Sequence, residues 1–211
     1  MSARTPLFST LAILIVLGCF ASAQGATDFG KLGHVTGNGF IATFAGKTAD
    51  GYTFSIDRDG IGSVRGPGID DYWTVHCRTD QMTDQRICIL DWEFSLFLRF
   101  AFTYPAFPAE ICVTNTDYMI GRPMMRIDEH LPFEGSPGAC FKREQIPQIM
   151  NAMHSENRIR VRTNHIANTR IVDVDGRATR AYAIARDLVQ FLFYKSDAGI
   201  LWRRLPAPHH I

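Results

Sequence analysis

Four groups of side chains in this sequence have the types and spacing for chemistry. Asp128, Glu129 and His130 stand in a row, and a carboxylate beside an imidazole can tune it to titrate near neutral pH for general acid and base work. Adjacent residues on a strand face opposite ways, however, and Pro132 follows at once, so the segment reads as a polar turn. His76 beside Cys77 has the composition of an imidazole and thiolate pair, but on a strand those side chains also diverge. Asp57-x-Asp59-Gly60 and Asp173-x-Asp175-Gly176 resemble the opening of a calcium loop. Neither is followed by the closing glutamate, so both are expected to be Asp-Gly hairpin turns. Arg158, Arg160 and Arg162 alternate on one strand face, with Arg170, Arg177 and Arg180 arriving from the next segment. Such a set can grip phosphates or an acidic partner, although a solvated sheet face uses the same charges to discourage edge pairing.

The chain contains no nucleophile elbow, no His-Glu-x-x-His, no phosphate-binding loop and no dinucleotide fingerprint between a strand and a helix. No catalytic residue, cofactor or metal site is therefore expected. The formal charge of +1 shows no basic excess, and no aromatic residues interleave with the arginines, which argues against nucleic acid as a partner.

What positions these groups begins with the leader. Arg4, the apolar run 11–20 and the triplet Ala21, Ser22, Ala23 form the three parts of a secretory signal peptide, and the run is too short to span a bilayer. Cleavage after Ala23 is expected, giving a periplasmic or secreted protein with no transmembrane segment. Ile15 to Cys19 also resemble a lipobox, so a membrane-anchored lipoprotein lipidated at Cys19 is the alternative. Eleven of the 17 glycines fall between Gly25 and Gly68. Residues 24–45 read as a glycine-rich linker or edge segment, 46–200 as a single β-rich domain, and 201–211 as a flexible tail.

Export changes the reading of cysteine, which outside the reducing cytosol is most simply half of a disulfide. Four remain after the leader: Cys77, Cys88, Cys112 and Cys140. They allow three pairings; Cys77 and Cys88, at the ends of a short polar loop between two strand-like segments, suit a local bridge, which leaves Cys112 with Cys140. No pair has the close spacing of a zinc site.

Trp73, Val75 and Cys77 alternate with Tyr72, Thr74 and His76, the pattern of a half-buried strand. From Cys88 to Phe102 the even-numbered residues continue one apolar face, as one long bent strand or as two strands joined at an unmarked bend. Strands are also expected at 52–57, 158–163 and 169–174, with the last two adjacent. Helices are expected over 145–154, where Ile146, Ile149, Met150 and Met153 share a face, and over about 181–195. The fold class is mainly β, a disulfide-stapled β-sandwich with one or two short helices.

Trp73-Thr-Val-His-Cys77, then Cys88-Ile-Leu, Met125-Arg-Ile-Asp128, Cys140, Ile149-Met150 and Arg160-Val-Arg162 together resemble the invasion-associated locus B family of exported bacterial proteins, over residues 71–198. The glycine-rich segment before Trp73 and Cys112 depart from the family pattern. The resemblance implies an exported, sandwich-type β domain without established catalytic activity. The expected function is a non-enzymatic envelope or periplasmic binding module whose partner is an unknown protein or envelope component, with Arg158, Arg160 and Arg162 as the speculative binding face. The alternative is an exported hydrolase with a site assembled near His130 and Asp128.

Overall fold

Strict alternation of apolar and polar residues dictates sheets buried on one face, and the computed structural model forms two of them. It describes residues 27–37, 42–69, 71–92, 97–103, 108–114, 119–154, 157–166 and 168–195. The leader, with Cys19 and Ala23, and the tail 201–211 lie outside the described residues.

The larger sheet is an antiparallel meander in chain order: β1 (Gly33–Thr36), β2 (Thr43–Lys47), β3 (Thr53–Asp57), β4 (Ile61–Arg65), β5 (Tyr72–Thr79), β6 (Arg86–Trp92), β7 (Phe97–Phe102) and β8 (Glu110–Thr114). Phe44, Phe54, Val64, Trp73, Leu90, Phe100 and Ile111 occupy its inner face and are all buried. The smaller sheet has the order β10-β9-β11-β12, formed by β9 (Met124–Ile127), β10 (Phe133–Glu134), β11 (Ile159–Asn164) and β12 (Thr169–Val174). A short helix α1 (Phe29–Leu32) precedes β1, α2 (Ile146–His154) follows a 3-10 turn at Arg143–Gln145, and α3 (Gly176–Lys195) closes the described chain. Both sheets and all three helices contribute to one hydrophobic core.

Of the two readings of 88–102, one bent strand or two strands joined at a bend, the second is the one the structure adopts. β6 and β7 form an antiparallel pair in which Cys88 faces Phe102 and Asp91 faces Arg99, so the chain reverses between Trp92 and Phe97. Asp91 and Arg99 form a cross-strand ion pair at 2.8 Å on the outer face. The apolar parity survives the reversal, which is why the sequence pattern runs on through it.

Helix α3 starts five residues earlier than the sequence pattern suggests. Asp175, expected in a hairpin turn, is instead its cap: Oδ1 accepts the backbone N–H of Arg177 at 2.9 Å and of Ala178 at 3.1 Å. Burial pushes the Asp175 carboxyl up, but those N–H groups and the Arg177 guanidinium outweigh it and hold the pKa below its ordinary 3.8. Replacing Asp175 by Ala is expected to lower stability by about 1 kcal/mol at neutral pH. Because the folded pKa is depressed, this contribution is present above 3.8 and lost as pH falls through the folded value. Urea titrations of wild type and variant should therefore converge in acid.

The helix is enclosed rather than merely amphipathic. Five consecutive residues, Ala181 to Ala185, are buried, because α3 packs against β4, β5 and β6 and also against α2. Trp73 Nε1 donates to the Ala178 carbonyl at 2.9 Å, and the Tyr182 hydroxyl donates to Met150 Sδ. Residues 27–37 and 42–45 take part in this packing: Phe29 and Phe44 are buried, and both rings lie against Phe191 of α3.

Two disulfides staple the framework. Cys77 and Cys88 face each other across β5 and β6, and Cys112 of β8 bonds Cys140. Around Cys140 the backbone lies alongside β8, with Val113 N donating to Ala139 O and Phe141 N to Ile111 O. The second bridge thus fastens the edge of the larger sheet to the segment that enters α2. Such bridges belong to a chain that folds in an extracellular or otherwise oxidising compartment. Among the described residues no helix is long and apolar enough to cross a membrane.

Candidate functional site

The β9–β10 connection and α2 together wall an open cleft of about 700 Å³. β9 enters antiparallel to β11, and β10 returns with Phe133 opposite Met125. Between them the chain turns sharply at Asp128, whose φ of 45° lies in the left-handed region. The strain is held by the residue just before β11: Asp128 N donates to the Arg158 carbonyl at 2.8 Å, and Asp128 Oδ1 accepts Arg158 N–H at 2.9 Å. These bonds tie the turn to the chain entering β11, and residues 130–133 line the cleft together with α2.

His130, Leu131 and Phe133 line one wall of the cleft, and Gln148, Asn151 and Asn157 supply amides from the other side. Gln148 and Asn151 sit three residues apart on the exposed face of α2, because Ile149, Met150, Ala152 and Met153 turn inward. Each amide can donate and accept hydrogen bonds. Leu131 is 88% exposed at the rim, an apolar side chain held in water. Binding through hydrogen bonds and apolar contact is the chemistry this lining offers.

Asp128 and His130 belong to the same turn, as the sequence suggests. No hydrogen bond or ion pair joins them among the described residues, since Asp128 is engaged with Arg158. His76 is exposed, while Cys77 points into the core and is bonded to Cys88, so those two side chains diverge. Asp57 and Gly60 form the β3–β4 turn, with Gly60 N–H donating to Asp57 O and Asp57 Oδ1 accepting Ile61 N–H. Glu110, Cys112 and Cys140 bring three donor atoms within 4.8 Å, but both sulfurs are consumed in the disulfide and offer no thiolate to a metal.

The arginines do not gather into one cationic face. Arg158 and Arg160 both pair with Asp173 of β12, and Arg126 pairs with Glu129. Arg162 lies against the Met124 sulfur in the next row of the sheet. Arg177 and Arg180 belong to the first turns of α3 and pair with Asp175 and Asp50. On the outer face of the smaller sheet one row thus runs Arg126, Arg160 and Asp173, and the next runs Met124, Arg162 and Ile171.

The amide wall of the cleft escaped the sequence reading. Its signal was faint: two polar residues on the outer face of α2, and one leucine in an otherwise polar turn. No family model, curated protein or solved structure matches this chain.

Proposed function

We propose that this chain is an exported binding module of the bacterial envelope, similar to invasion-associated locus B proteins, whose ligand site is the cleft between the His130 turn and α2. The observation that carries the reading is the combination of an exposed Leu131 with amides at Gln148, Asn151 and Asn157 around one concavity. Amide groups match the donors and acceptors of an envelope protein's backbone, and Leu131 supplies an apolar anchor. The two disulfides support work outside the cytosol. Arg158, Arg160 and Arg162 contribute less, because Asp173 neutralises the first two.

The test is recovery from envelope extracts by the mature protein and its variants. Leu131→Asp places a charge at the anchor and should reduce recovery of the specific partner at least tenfold, whereas Arg160→Glu with Arg162→Glu should leave it within twofold. Equal recovery by Leu131→Asp would remove the cleft from the reading. Mass measurement of the mature N-terminus separates soluble export, starting at Gln24, from lipid anchoring at Cys19.

The position of His130 in the cleft favours one second reading, an exported hydrolase. There His130 would act without Asp128 as its partner. Hydrolytic activity lost on His130→Ala, with binding retained, would replace the first reading by this one.

A further inference from the structure

A separate groove of about 670 Å³ crosses the outer face of β1 to β4, on the side of the larger sheet opposite its core. Strand register determines its lining. One row across the sheet runs Lys47, Thr53, Arg65 and Tyr72. The next runs His34, Ala45, Ser55 and Ser63. Small side chains therefore form the floor, and long cationic ones stand along one side.

Arg99, Arg126, Arg158, Arg160 and Arg180 are paired with carboxylates. Lys47 and Arg65 have no acidic partner among the described residues, and no acidic side chain lines the groove. Arg65 rests its guanidinium on the Tyr72 ring at 4.4 Å, which orients it without neutralising it. A guard against edge pairing does not explain these charges, since β2 and β4 are interior strands. Adjacent strands lie about 4.8 Å apart, so the Lys47 and Arg65 backbones stand about 10 Å apart and their long stems can converge on an anion over Thr53.

We propose that this groove binds an acidic oligosaccharide, holding a carboxylate or sulfate of the sugar between Lys47 and Arg65. The floor points to sugar rather than to a bare anion. The Ser55 and Ser63 hydroxyls have no hydrogen-bond partner among the described residues, and a hydroxyl that both donates and accepts suits a ligand made of hydroxyls. Nucleic acid is disfavoured because the Tyr72 ring beside the groove is covered by Arg65 and the Phe54 side chain is buried in the core, so neither offers a free stacking face. Arg65 supplies a planar fork for two parallel hydrogen bonds to the acid group, and Lys47 supplies a point charge.

Calorimetric titration of the mature protein with a galacturonate hexamer and with a heparin-derived hexasaccharide tests this. At least one should bind saturably, with affinity falling as salt rises, and maltohexaose should not bind. Lys47→Ala with Arg65→Ala should weaken binding at least tenfold at unchanged melting temperature, as should Ser55→Val with Ser63→Val. Leu131→Asp should leave it within twofold, which keeps the result independent of the cleft. Failure of both acidic hexamers to bind overturns the proposal, as does equal binding by the Lys47 and Arg65 variant. Binding of inorganic phosphate or of phosphatidylglycerol vesicles in place of either hexamer also overturns it.

Discussion

Replacing Trp73 by alanine is expected to destabilise the protein by about 4 kcal/mol, the middle of the range for deleting a large buried aromatic. Trp73 is 0% exposed and lies where the larger sheet meets α3, with Tyr182 at 5.0 Å, Phe100 at 5.7 Å and Trp92 at 6.3 Å between ring centroids. Those neighbours are themselves held by strands or by the helix, so the cavity cannot collapse freely. The indole N–H bond to Ala178 O adds a polar tie between β5 and the first turn of α3. Removing that bond alone costs about 1 kcal/mol, so Trp73→Phe should lose far less than Trp73→Ala. At about 2 to 4 °C per kcal/mol for a chain of this size, the alanine variant should melt roughly 10 °C lower. A loss under about 1 kcal/mol in urea titration would contradict the placement of Trp73 at this junction.

The second large effect concerns the disulfides. By the chain-entropy account, the Cys77–Cys88 bridge, closing 11 residues, contributes about 3 kcal/mol, and the Cys112–Cys140 bridge, closing 28, about 0.8 kcal/mol more. Total stability for a domain is typically about 5 to 15 kcal/mol, so reduction of both bridges should leave it near or below the threshold of folding. Each bridge can be removed by paired alanine substitutions, which avoid placing hydroxyls in the buried site of Cys77 and Cys88. The expected order in urea is wild type, then the variant lacking Cys77–Cys88, then the variant lacking Cys112–Cys140. The reverse order would mean that packing around Cys77 and Cys88 outweighs loop closure.

The elements of the fold were largely legible because side chains alternate with a period of two on a strand. Trp73, Val75 and Cys77 could be assigned to the core without knowing what covers them, and β11 and β12 could be recognised as neighbours. The bend inside 88–102 was not legible in position. Residues 93–96 include no glycine, proline or asparagine, and the odd number of residues between the paired Trp92 and Leu98 keeps the apolar parity intact. The start of α3 was missed for another reason: Asp-Gly is a turn signal, but Asp175 serves equally well as a helix cap when its carboxylate meets the N–H groups of Arg177 and Ala178.

The candidate sites were less legible than the core. Arg158 and Arg160 do share a face, but their charge is answered by Asp173, and that pairing depends on the register of β12. His130 does lie in a cleft, but two of the amides lining it, Gln148 and Asn151, come from a helix that begins sixteen residues later. Nothing local in the sequence marks Lys47 and Arg65 as unpaired or as neighbours across β3.

The sequence by itself thus determined which residues face the core, which cysteines suit a local bridge, and, through its leader, the expectation of export. Those properties follow from side-chain periodicity and from short-range spacing, which a linear chain displays directly. Tertiary structure alone decided that α3 lies on the larger sheet, that Asp173 neutralises the arginines, and that Lys47, Thr53 and Arg65 form one row. Each depends on strand register and on contacts between distant segments. Those are set by the packing of the whole core, and no local stretch of residues encodes them.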